Sequence, residues 1–141
     1  MCYQSLPPLD GLQVLVVDND PDSRYLLTLV FEEYGVKTIA VTSVGEAIEI
    51  LKQIRPDLLI SELGLPKEDG YSLMRQVKAL EIQTQVKIPA IALTVQTFKS
   101  DRDRALSVGF YKHLSKPFDI DELIKTVTCL ILNKQFQTVP V

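Results

Sequence analysis

Five short apolar runs punctuate the chain, QVLVV (13–17), VKTIAV (36–41), LLIS (58–61), IPAIALT (88–94) and YKHLS (111–115), and stretches of helical period separate them. Runs this short and this rich in Val, Ile and Leu suit strands covered on both faces. Strands that alternate with helices pair in parallel, because each helix carries the chain back across the sheet. The alternation therefore leaves one architecture open, an α/β layer fold with helices on both sides of a parallel sheet. A length of 141 residues supports one domain, and 46% apolar content supplies its core, so a disordered ground state is excluded.

The first helical stretch sets Leu26, Leu27, Val30, Phe31 and Tyr34 three and four residues apart, with Asp20 as N-cap, Pro21 at the first helical position and Gly35 as the stop. The second opens on Ser43 and Glu46 at capping-box spacing and carries Ala47, Ile48, Ile50, Leu51 and Ile54 up to Pro56. The third follows Asp69 and Gly70 with Leu73, Met74, Val77 and Leu80, and the fourth runs from about Phe98 to Val108. The last starts at Asp119, with Glu122 three residues on, and is expected to bury Ile120, Leu123, Ile124, Val127, Leu130 and Ile131. Right-handed crossovers with one reversal of strand order predict a flavodoxin-like, doubly wound five-stranded sheet of order 2-1-3-4-5. The domain is expected over residues 11–133, between an N-terminal extension at 1–10 and a frayed tail at 134–141.

Charge and cysteine usage narrow the function classes. The net charge is 15 − 18 = −3 and no run of Lys or Arg occurs, so nucleic-acid binding by this chain alone is not expected. No stretch approaches the about 18 apolar residues of a membrane span, and the N-terminus lacks a signal-peptide pattern, which reads as a cytoplasmic protein with no membrane partner. Cys2 and Cys129 lie far apart with no CxxC spacing, which reads as reduced thiols rather than a disulfide framework or a zinc site.

In doubly wound sheets ligands sit beyond the carboxyl ends of the strands. Those ends carry Asp18, Asn19 and Asp20 after the first strand, Glu62 after the third, Thr94 closing the fourth, and Lys116 with Pro117 after the fifth. Carboxylates beside an ammonium and a hydroxyl can hold a hard divalent cation while Lys and Thr grip an anion's oxygens, and magnesium with phosphate is the natural pairing.

The motifs VLVVDND, PDLLISELGLPKEDG, IPAIALT and HLSKPF, in this order and at these strand ends, resemble the receiver domain of two-component response regulators from about Gly11 to Asn133. The resemblance implies a phosphoacceptor aspartate after the third strand, a histidine kinase as donor, and magnesium held by acids after the first strand, by the phosphoacceptor and by a carbonyl that falls on Gly64. It also implies that Thr94 moves to bind the phosphoryl group, that Lys116 pairs with it, often beside a cis peptide before Pro117, and that an aromatic on the fifth strand, here His113, turns inward. Signalling proteins (a kinase, regulator or effector) are its implied partners, through the face of the fourth helix, fifth strand and fifth helix, where Phe98, Lys99, Arg102 and Arg104 fall. No output domain is read within the chain, so output is expected as a contact made by this domain or by a homodimer of it.

Two residues depart from the family. Glu62 stands at the phosphoacceptor position, and Asn19 replaces the second acid of the first-strand pair. The extra methylene moves the carboxylate by about 1.5 Å, and misplacement of about 1 Å can cost on the order of a hundredfold in rate, so a pseudo-receiver that works without phosphate is expected. Asn19 removes a charge from the metal set of Asp18, Glu62 and Gly64, so magnesium affinity should fall. The longer side chain can extend toward Lys116 or Thr94 and partly mimic a phosphoryl group, biasing the domain to its active-like state.

Plainer roles stand beside these. Asp20 reads first as an N-cap and second as part of the acidic pocket. His113 reads first as a packed residue and second as a switch, and Thr94 suits a strand for steric reasons alone. Val95, bulkier than the residue common there, narrows access. Two other functions compete. One is a phosphorylation-competent receiver. The other is a flavin-binding electron carrier of the same topology, which the acidic loop DNDPDS and the absence of tryptophan disfavour. No GxSxG elbow or serine partner for the single histidine supports a hydrolase, so no enzyme activity is expected.

Overall fold

A computed structural model describes the backbone of residues 9–137 and the side chains of residues 9–133. Five strands and five helices alternate: β1 (Gln13–Val17), α1 (Pro21–Glu33), β2 (Lys37–Val41), α2 (Val44–Leu51), β3 (Leu58–Ser61), α3 (Gly70–Thr84), β4 (Ala90–Thr94), α4 (Lys99–Val108), β5 (Lys112–Ser115) and α5 (Ile120–Gln137). The strands form one sheet of order β2-β1-β3-β4-β5, every neighbouring pair parallel, as expected for the doubly wound fold.

Period-two alternation along β1 shows why both faces need cover. Val14 and Val16 point into a core with Leu27, Val30 and Phe31 of α1 and Leu123, Val127 and Leu130 of α5. Leu15 and Val17 point the other way, toward Val44, Ala47 and Leu51 of α2, Leu73, Met74 and Val77 of α3, and Ala105 of α4. A polar residue at any of these positions would bury an unpaired group, at a cost of about 1–3 kcal/mol.

Caps set the helix starts. Asp20 accepts from Asp22 N and Ser23 Oγ, Ser43 from Glu46 N, Asp69 from Ser72 N, and Asp119 from Glu122 N. Glu46 does not close the capping box on Ser43: its Oε1 accepts instead from Thr42 N and Thr42 Oγ1. Gly35 turns the chain after α1 at φ +72°. Gly70 lets α3 start against the end of β3, since a Cβ there would lie 2.7 Å from Glu62 O and 3.0 Å from Leu63 Cα.

Three expectations change. α2 ends at Leu51, well before Pro56, and Arg55 Nη1 donates to the carbonyls of Leu51 and Ile54, so Ile54 lies beyond the helix. Ile120 and Leu26 are exposed rather than buried, at 45% and 44%. α5 runs on to Gln137, past the expected boundary at Asn133, and at the other end Leu9 is fully buried in the α1/α5 core although 1–10 was read as an extension. Residues 1–8, with Cys2, and 138–141 lie outside the described residues. Among the described residues no helix is long and apolar enough to cross a membrane.

Candidate functional site

Parallel strands end together, so β1, β3, β4 and β5 deliver their last side chains to one edge of the sheet. Asp18 follows β1 directly and is 2% exposed; Glu62 follows β3 and is 5% exposed. Lys116, just past β5, reaches between them. Its ammonium donates to Asp18 Oδ2 at 2.7 Å and to Glu62 Oε1 at 3.2 Å, so three residues from three segments share one cation.

The other carboxylate oxygens are also occupied. Asp18 Oδ1 accepts from Asp20 N at 2.9 Å, and Glu62 Oε2 accepts from Leu63 N at 2.7 Å, a bond that folds the side chain back on its own backbone. Arg24 of α1, which the sequence did not single out, donates through Nη1 to the Asp18 carbonyl at 2.8 Å and fixes the turn after β1. For Lys116, burial presses the pKa down, and the hydrogen bond and charge of Asp18 followed by those of Glu62 outweigh it, so the net displacement is above the ordinary 10.5.

Of the other acidic-pocket residues, Asn19 and Asp20 are exposed. Asp20 caps α1, and its carboxyl is held below the usual range first by Ser23 and then by the Asp22 amide. A hard cation is held by six or more oxygens, and charge on those ligands drives the binding. Here two carboxylates converge, both hydrogen-bonded to an ammonium. Among the described residues no group of three His, Cys, Asp or Glu is gathered to hold a metal. The donor set fits magnesium poorly.

The β4 side of the site is built differently. Thr94 is fully buried, and its Oγ1 accepts from Gln96 N at 3.0 Å. The Gln96 carbonyl meets His113 Nε2 at 2.8 Å; a carbonyl oxygen only accepts, so Nε2 carries the hydrogen. His113 is half-buried and turned toward this loop. Gln96 carries no pattern that would mark it in the sequence, and its place becomes visible only when the loops meet. Val95 beside it is 67% exposed and lines a shallow groove of about 360 Å³ with Leu26, Phe118 and Lys116. The peptide between Lys116 and Pro117 is cis.

On α4, Phe98 is 80% exposed and Lys99 pairs with Asp103 at 3.0 Å. Arg104, placed on the partner face from the sequence, instead lies 3.9 Å from the ring centroid of Tyr71 in α3. A groove of about 710 Å³ runs between α4, β5 and the start of α5, lined by Arg102, Leu106, Tyr111, Lys112, His113 and Glu122 among others.

The response regulator receiver domain family matches residues 14–128. An uncharacterized 14.6 kDa protein in the sodA1 3′ region of Leptolyngbya boryana is 39% identical over 119 residues, covering 84% of this chain and 89% of the relative. Hybrid signal transduction histidine kinase D of Dictyostelium discoideum is 36% identical over 129 residues, which are 87% of this chain and 8% of that protein. Among solved structures, the receiver domain of sensor histidine kinase PA1611 from Pseudomonas aeruginosa PAO1, which has a magnesium ion coordinated in its active site cleft, superposes with a TM-score of 0.77 at 28% identity, covering 86% of this chain and 98% of that one.

Proposed function

The chain belongs to the response regulator receiver domain family, and from that membership we propose that it acts in two-component or phosphorelay signalling as a receiver that does not depend on phosphate. The observation that carries this reading is the engagement of Glu62. A phosphoacceptor must present a free carboxylate oxygen to the donor, and both oxygens of Glu62 are spent, on Lys116 and on Leu63 N. The added methylene also places the carboxylate about 1.5 Å from where an aspartate would hold it, enough to lose on the order of a hundredfold in rate.

Magnesium plays a reduced part in this reading. With Asn19 at the first-strand pair, Asp18 and Glu62 remain as the acidic donors beside the Gly64 backbone, and the Lys116 ammonium already neutralises part of their charge. A bound ion would bridge phosphoryl and protein oxygens; without it the chain relies on Lys116 to hold the two loops together.

The same contacts support partial mimicry of the phosphorylated state. The resemblance calls for Lys116 paired with an anion at the third strand end and for an inward residue on the fifth strand. Lys116 bonds Glu62, and His113 is tied to the Gln96 carbonyl. Thr94, whose hydroxyl should also be recruited, accepts from Gln96 N instead. One carboxylate has fewer acceptors and less charge than a phosphoryl group, so two of three contacts are what it can support. Output leaves through the α4–β5–α5 face to a signalling protein in the cytoplasm, or to a second copy of this chain.

The test is intact mass after incubation with acetyl phosphate and magnesium, on the wild type and on Glu62→Asp. No adduct on the wild type is expected, with an acyl phosphate on Glu62→Asp. A hydroxylamine-labile adduct on the wild type would overturn the reading and restore an ordinary phosphorelay receiver.

A further inference from the structure

We infer that Gln96 is a positioning residue that ties the mouth of the strand-end site to the β5 edge, so that a displacement at the β3–α3 loop moves His113 without any movement of Thr94.

Three separate segments hold this one residue. Its N–H donates to Thr94 Oγ1 at 3.0 Å, which anchors it to the end of β4. Its carbonyl accepts from His113 Nε2 at 2.8 Å across 17 residues of sequence, which anchors it to β5. Its side chain lies over Gly64 in the β3–α3 loop, where a Cβ would come within 2.8 Å of the Gln96 amide nitrogen. Gly64 stands two residues from Glu62, and the segment between them is pinned by Leu63 N to Glu62 Oε2 and by Gly70 N to Leu63 O at 2.8 Å.

The geometry sets the order of events. A rearrangement of Glu62 carries the Leu63 amide with it, and Gly64 follows, because the chain between them is short and doubly hydrogen-bonded. Gly64 has no side chain to absorb a shift, and the Gln96 amide rests directly on it. Gln96 must then move, and the same residue holds the His113 ring through its backbone carbonyl. His113 lines the groove beside Arg102, Leu106 and Tyr111, so the displacement emerges on the α4–β5–α5 face. Coupling of this kind runs through contiguous packed contacts and is reciprocal, so a partner that shifts His113 must bias the loop at Gly64 in turn.

The inference deepens the proposed function and rests on it only for the face by which output leaves. Its test needs neither phosphate nor a partner, so its failure and the failure of that reading are separate results. The chain has a single histidine, so its ring gives one carbon–proton cross-peak in an NMR spectrum of the full chain. Gly64→Ala places a methyl against the Gln96 amide and should shift that cross-peak. The same substitution in a Gln96→Ala background, where the backbone bonds to Thr94 and His113 persist, should leave it in place. Gln96→Met, which restores side-chain length over residue 64, should bring the shift back. Amide dispersion reports folding in each variant. If Gly64→Ala does not fold, Glu62→Asp replaces it as the perturbation, read in the same pair of backgrounds. A ring shift of equal size with and without the Gln96 side chain, or no shift in either, overturns the proposal.

Discussion

The two halves of the strand-end site are held by different physics. On the β1/β3 side, Asp18, Glu62 and Lys116 form a buried ionic cluster in which two carboxylates share one ammonium; their side chains are 3%, 6% and 12% exposed. On the β4/β5 side, Thr94, Gln96 and His113 form a chain of bonds through the Gln96 backbone amide and carbonyl. Ionic contacts at this depth are large, opposed by desolvation, and destructive when one partner is removed. Bonds to a half-exposed loop backbone are each worth about 1 kcal/mol, because water can replace them. The ionic half can therefore fix the site, while the backbone half can yield at modest cost, as a relay must.

The largest effect expected from this contrast follows Lys116→Met. It strands two buried carboxylates without a cation, and breaking a buried pair in this way costs about 3–5 kcal/mol. Urea unfolding at neutral pH should show that loss, and adding Glu62→Gln to Lys116→Met should return part of it by removing one of the orphaned charges. A loss no greater than that of Thr94→Val would erase the distinction between the two halves.

A smaller loss should appear in alkali. The Lys116 pKa is raised in the folded protein, so its contribution to stability is complete below the ordinary 10.5 and disappears as pH climbs through the higher folded value. Neutral lysine still donates hydrogen bonds, which keeps this loss below that of truncation. Unfolding near pH 9 and above about pH 11, compared with Lys116→Met, isolates the effect, since the variant keeps every tyrosine and every other lysine. Parallel decline of both proteins across that window would place the alkaline sensitivity elsewhere.

How much of this could be read beforehand differs between the halves for a physical reason. Strand-end carboxylates and a lysine before proline stand out because strands deliver charge to a predictable edge, so Asp18, Glu62 and Lys116 were legible one by one, and their meeting followed from strand order. Gln96 was not: a polar residue in a loop carries no period, and its three contacts exist only after three loops converge. The fold shows the same divide. Buried runs marked all five strands, with β2, β4 and β5 starting one or two residues late. Periodicity overcounted at Leu26 and Ile120, which sit at apolar positions but project past the sheet into solvent. Pro56 correctly forbade helix before it, yet α2 stopped at Leu51, where the Arg55 guanidinium takes up its last carbonyl.

The smallest effects lie in the backbone half, and their sum is more informative than their size. Thr94→Val removes the acceptor for Gln96 N–H, and His113→Phe removes the donor to its carbonyl while keeping an aromatic ring of similar size. Each should cost about 1 kcal/mol or less in urea unfolding. Independent bonds would make the double variant lose the sum of the two. Both bonds, however, hold the single residue Gln96, and once one is cut the loop can relax away from the other, so the second substitution should cost less than it does alone. A shortfall of about 0.5 kcal/mol or more in the double-mutant cycle is the signature of that sharing. Strict additivity would mean that Thr94 and His113 hold the loop separately, and the β4/β5 half would then be two local contacts rather than one connected brace.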